Sequence, residues 1–100
     1  MAGRARREQA MPLYYLHVCN GNGFIEDEEG QELPDLAAAR SAAIRGARDI
    51  MSEEIRRGEL NRASFIEVED EDHQLVFTLQ FSEAIRISDS GCDPRPRSGR

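Results

Sequence analysis

The sequence predicts an α+β fold: a small, mainly antiparallel sheet of ββαββ order with one long helix packed on one face. Three observations predict it. An aromatic and aliphatic run near the start is closed by an Asn-Gly turn signal, as in a hairpin. Two alternating runs near the end flank a polar turn and form a second hairpin. Between the hairpins lies one Ala-rich stretch with helical period. One hundred residues leave room for a single domain.

The elements follow in order. "PLYYLHVC", residues 12–19, reads as a strand, and Pro12 suits its first position because a missing N–H does no harm there. Alternation sets Tyr14, Leu16 and Val18 on one face and Leu13, Tyr15, His17 and Cys19 on the other. "NGNG", residues 20–23, is a tight-turn signal, and Phe24 and Ile25 begin a short return strand. Asp35 is a good N-cap for a helix from Leu36 to about Arg57, which Gly58 ends as the C′ residue. Leu36, Ala39, Ala43, Ala47, Ile50 and Met51 form its apolar stripe, edged by Ile44 and Ile55. Arg40 and Glu54 interrupt that stripe; their long stems can lie over a core while the charge reaches water. "SFIEVE", 64–69, and "LVFTLQF", 75–81, alternate as strands around "DEDHQ". One helix covers one face of such a sheet. Tyr15, His17, Phe65, Glu67, Val76 and Thr78 are expected on the open side, a mixed patch suited to a protein partner or a homodimer.

Charge narrows the function. The chain carries a net −6 and no Lys. Residues 11–87 hold 16 acids against 7 arginines, a net of −9, while both ends are slightly basic. An acidic body repels nucleic acid and anionic membrane, so neither is expected as a partner. No segment approaches the roughly 20 apolar residues of a membrane helix. Cys19 and Cys92 do not form a disulfide framework, which fits a reducing cytoplasm. Residues 1–10 and 88–100 lack apolar period and are expected to be disordered around a domain at 11–87, with Met11 as an alternative start.

These stretches resemble a family of short bacterial proteins known only as a domain of unknown function. The resemblance rests on "MPLYYLHV", "GNGFIEDEEGQELPDLAAAR" and "FIEVEDEDHQLVFTLQF", over about residues 11–87, with Tyr15 where the family often has Phe. It implies a small α+β fold and a bacterial cytosolic setting, and carries no activity or binding residue with it. A fainter likeness, to antitoxin domains with a hairpin before a "PDL" helix start, is one of fold only.

Little in the chain looks like chemistry. With Gly30 at position six of a calcium loop, Ile25 and Leu36 fall on the first and twelfth positions, where ligands are needed. "EDEE" therefore reads as a solvated connection. His17 reads as a half-exposed sheet histidine, with Glu67 or Thr78 as possible neighbours if it were a general base. Cys19 shares its face, but acids around a thiol oppose a reactive thiolate. No metal, cofactor or catalytic residue is expected. The sequence favours a non-catalytic protein-interaction or regulatory module. The alternatives are an antitoxin-like protein neutralising a basic toxin and, third, a weak metal binder or small enzyme using His17.

Overall fold

The structure is a computed structural model that describes residues 11–92. The expectations for residues 1–10 and 93–100 lie outside the described residues. Residues 88–92 carry neither helix nor strand.

Strand β1 (Leu13–Asn20) turns through Gly21 and Asn22 into β2 (Gly23–Ile25). The turn is the one "NGNG" signals: Asn20 Oδ1 accepts from the Asn22 amide at 2.8 Å. A two-residue strand, β3 (Gln31–Glu32), comes next, followed by helix α1 (Leu36–Arg56), β4 (Phe65–Glu69) and β5 (Leu75–Gln80). A 3-10 turn at Phe81–Glu83 follows β5. All pairings are antiparallel, in the order β2-β1-β4-β5, and β3 joins the same edge of β1 as β2, further back along the strand. The fold is α+β as expected, with β3 added.

Asp35 caps α1, its carboxylate accepting from the Ala38 amide at 2.9 Å. Gly58, at φ 85, turns the chain away after the last helical turn. The covered face of the sheet presents Tyr14, Ile66, Val68 and Leu79, all buried, and Phe81 closes the same core from the 3-10 turn. Ala39, Ala43 and Ala47, each fully buried, let the helix backbone lie close on these side chains, and Met51 fills the remaining width.

Two helix expectations are corrected. Leu36 and Ile55 are exposed, and Ala42 and Glu54 are buried instead. Twenty-one helical residues span about 31 Å, whereas the five of β4 span about 17 Å. The buried residues of α1 run from Ala39 to Glu54, and Leu36 lies before that run and Ile55 just after it. Glu54 turns inward because the chain leaving the helix needs an acceptor: its Oε1 receives the Asn61 amide at 3.0 Å. Arg40 behaves as expected, exposed and 3.9 Å from Glu83.

Candidate functional site

Odd-numbered residues of β1 and β4 point away from α1, so Tyr15, His17, Cys19, Phe65, Glu67 and Glu69 share the open face. The register places Tyr15 opposite Glu69, His17 opposite Glu67, and Glu67 opposite Thr78. Val76 does not join them. The β4–β5 register shifts between Val68 and Glu69, so Glu69 pairs with Leu75, Val68 with Phe77, and Val76 is the extra residue. Its side chain packs against the core cluster. Leu75 is exposed opposite Glu69 for the same reason.

His17 is the centre of this face and is not half-exposed: only 3 % of it is accessible. Its Nδ1 accepts from the Asp27 amide at 2.9 Å. That fixes the tautomer, since the other nitrogen must carry the proton; Nε2 donates to Glu69 Oε1 at 3.0 Å. The same oxygen lies 3.1 Å from Nδ1 of His73. Hydrogen bonds from His17 first and His73 second hold the Glu69 carboxyl below the ordinary carboxylate range. Tyr15 lies against this chain of groups. Its ring is stacked on His73, with centroids 4.4 Å apart, and is parallel to His17 at 6.4 Å. Phe24 tilts against the other side of His17 at 5.5 Å and is itself exposed.

The acidic connection is not wholly solvated. Glu26, Glu28 and Glu29 are exposed, but Asp27 turns back onto the sheet. Its Oδ2 accepts from the Leu16 amide and its Oδ1 from the Gly30 amide, both at 3.0 Å. The physical need is clear from the pairing. β2 holds Val18–Asn20 and β3 holds Leu13–Tyr14, so the edge of β1 between them has no strand beside it. Asp27 supplies the missing acceptor for Leu16 and, through its own amide, the donor for His17. Gly30 makes the return possible: its φ is 74, and a Cβ there would sit 3.0 Å from the Tyr14 carbonyl and from the Tyr15 ring.

His73 sits in the left-handed region at φ 62, where glycine or asparagine is usual. Asp70 builds the turn that places it there: Oδ1 accepts from the amides of Asp72 and Gln74, and the carbonyl from the His73 amide. The strained position delivers an imidazole to Glu69 and Tyr15, which a glycine could not do.

Sequence reasoning brought together Tyr15, His17, Phe65, Glu67 and Thr78 on one side. Alternation in "SFIEVE" also set Glu69 on that side, without a role, and the reading missed Asp27, His73 and Phe24 as members of the site. The Asp-x-x-Gly spacing of Asp27 and Gly30 is a turn signal that points to the first of these. Cys19 lies between Phe24 and Phe65 in the register, away from the carboxylate, and both cysteines are free. Among the described residues no group of three or more His, Cys, Asp or Glu could hold a metal ion, and no helix is long and apolar enough to cross a membrane.

Together these features define a small α+β domain, packed on one face of its sheet and carrying a histidine–carboxylate network among aromatic rings on the other. The chain belongs to the family described as a domain of unknown function, DUF6894, whose model matches residues 13–82. No curated protein and no solved structure matches it.

Proposed function

We propose that the protein is a non-catalytic docking module whose open sheet face receives a basic segment of a partner protein in the cytoplasm. One observation carries this reading. The strand-bearing stretches, residues 11–39 and 63–85, contain twelve carboxylates and not one arginine, and on the open face Tyr15 stands opposite Glu69 while the Phe24 ring tilts on His17, itself opposite Glu67. Arginine stacks on aromatic faces and pairs with carboxylates, and this surface offers both within one side-chain length. The same charge disfavours nucleic acid. A non-catalytic role is supported by His17 itself, since both ring nitrogens are engaged and neither is free for a substrate proton. The acidic side also suits the antitoxin-like reading, in which the basic partner is a toxin; the identity of the natural partner separates the two.

The test uses an acetylated arginine–glycine repeat peptide as probe, followed by backbone and side-chain NMR shifts of the full chain. Shifts at Tyr15, Phe24, Glu67 and Thr78 that fade with salt and with Tyr15→Ala are expected. Peptide-induced shifts confined to α1, or absent at millimolar peptide, overturn the reading.

A further inference from the structure

The two edges of the sheet are built differently. The edge of β1 is covered by two very short strands, and between them Asp27 occupies the gap while Glu26, Glu28 and Glu29 project outward. A second acidic chain cannot add there, because short strands and charges block edge pairing. The other edge is β5, six residues long, "LVFTLQ", with no charge, no Pro and no Lys. It has none of the usual devices against pairing except the irregularity at its first residues.

The direction of its hydrogen bonds follows from one contact. The Phe81 amide donates to the Ser64 carbonyl at 2.9 Å, and this pair continues the β4–β5 register. Backbone groups alternate sides along a strand, so Leu79 and Phe77 also point at β4. Thr78 and Gln80 therefore point their N–H and C=O groups outward, and no described residue meets them. A two-fold axis through Thr78 sets Thr78 opposite its own copy and Phe77 opposite Leu79 of the second chain. In that register each outward-pointing Thr78 exchanges both backbone hydrogen bonds with the other, and like faces meet like faces.

We propose that β5 pairs antiparallel with β5 of a second copy of this chain, centred on Thr78, to give one continuous sheet. Both helices then lie on one side and both open faces on the other, so the dimer presents two copies of the docking face together. The contact is a single six-residue strand edge, so the dimer is weak. It is also salt-dependent in the sense opposite to basic-peptide docking. The paired strands are uncharged while each chain carries −6, so added salt screens repulsion and tightens the dimer.

Sedimentation equilibrium of the full chain at two salt concentrations tests this. The expected result is a monomer–dimer equilibrium that shifts toward dimer at higher salt, with Thr78→Lys raising the dissociation constant at least about tenfold. A monomer throughout, or a dimer abolished by Tyr15→Glu and untouched by Thr78→Lys, overturns the proposal. Should Thr78→Lys fail to fold, Thr78→Cys in a Cys19→Ser/Cys92→Ser background decides. It is expected to form a covalent dimer under mild oxidation, faster than Gln31→Cys on the opposite edge. Equal or slower cross-linking at Thr78 overturns the pairing whatever the peptide experiment returns.

Discussion

The covered and open faces of the sheet are held by different physics. On the covered face, Ile66, Val68, Leu79 and Phe81 meet a helix whose contact stripe is mostly alanine, and shape does the work. On the open face His17 is as well buried as the core residues, but a carboxylate, a backbone amide and two aromatic rings enclose it. Charge divides along the sequence. Residues 40–62, most of the helix and its exit, carry six arginines against four acids, whereas the strand-bearing stretches carry acids alone. One side of the molecule is therefore specified by volume and the other by directional bonds, and the two should fail differently.

Truncating the covered face gives the largest effect. Leu79→Ala, at a fully buried position, is expected to cost about 2–5 kcal/mol by urea unfolding, since the rigid alanine stripe cannot collapse into the gap. A loss under about 1 kcal/mol would show that this face repacks freely.

Asp27→Ala comes next. It leaves the Leu16 and Gly30 amides without their acceptor, at about 2–3 kcal/mol. Asp27→Asn is expected to recover part of that loss, because an amide oxygen can still accept. Equal losses for the two would mean that the carboxylate charge, not the hydrogen bonding, fixes the loop.

A smaller effect is expected at His73. His73→Gly relieves a left-handed backbone while deleting a stacked ring, and stability should move by no more than about 1 kcal/mol. The near-ultraviolet circular dichroism of Tyr15 should change all the same. A large destabilisation would make the imidazole a structural prop rather than a group held in place at the expense of the turn.

The smallest effect is in the pH dependence. Glu69 has a folded-state value below its ordinary 4.5. Its contribution is therefore complete above that ordinary value and disappears as pH falls through the lower, folded one. The side chain is partly exposed, so screening keeps the contribution modest. Below pH about 4.5 the wild type should lose stability more steeply than Glu69→Gln, and above it the two curves should run parallel. Parallel curves throughout would mean that the two histidines do not hold this carboxylate in solution.

The sequence made the covered face readable because that face depends on local period. Alternation in "SFIEVE" and the spacing of Ala39, Ala43 and Ala47 survive intact in the fold, as do the Asp35 cap and the Gly58 stop. The open face was readable only as a list of neighbours. The role of Asp27 depends on a break in edge pairing, and that break exists only after β2 and β3 have both found β1. Val76 was misplaced because a bulge leaves no mark on an alternating run such as "LVFTLQF". Glu54 looked like an interruption of the helix stripe because its partner, the Asn61 amide, belongs to the chain that follows.

The hydrogen bond from Leu16 to Asp27 has a kinetic consequence. The Leu16 amide is held by a side chain, while the Phe77 and Leu79 amides face a neighbouring strand. Hydrogen–deuterium exchange at Leu16 can thus proceed whenever the 26–30 loop lifts, with the sheet intact, whereas exchange at Leu79 requires the β4–β5 ladder to open. A single amide in the middle of the central strand becomes a clock for the loop that encloses His17.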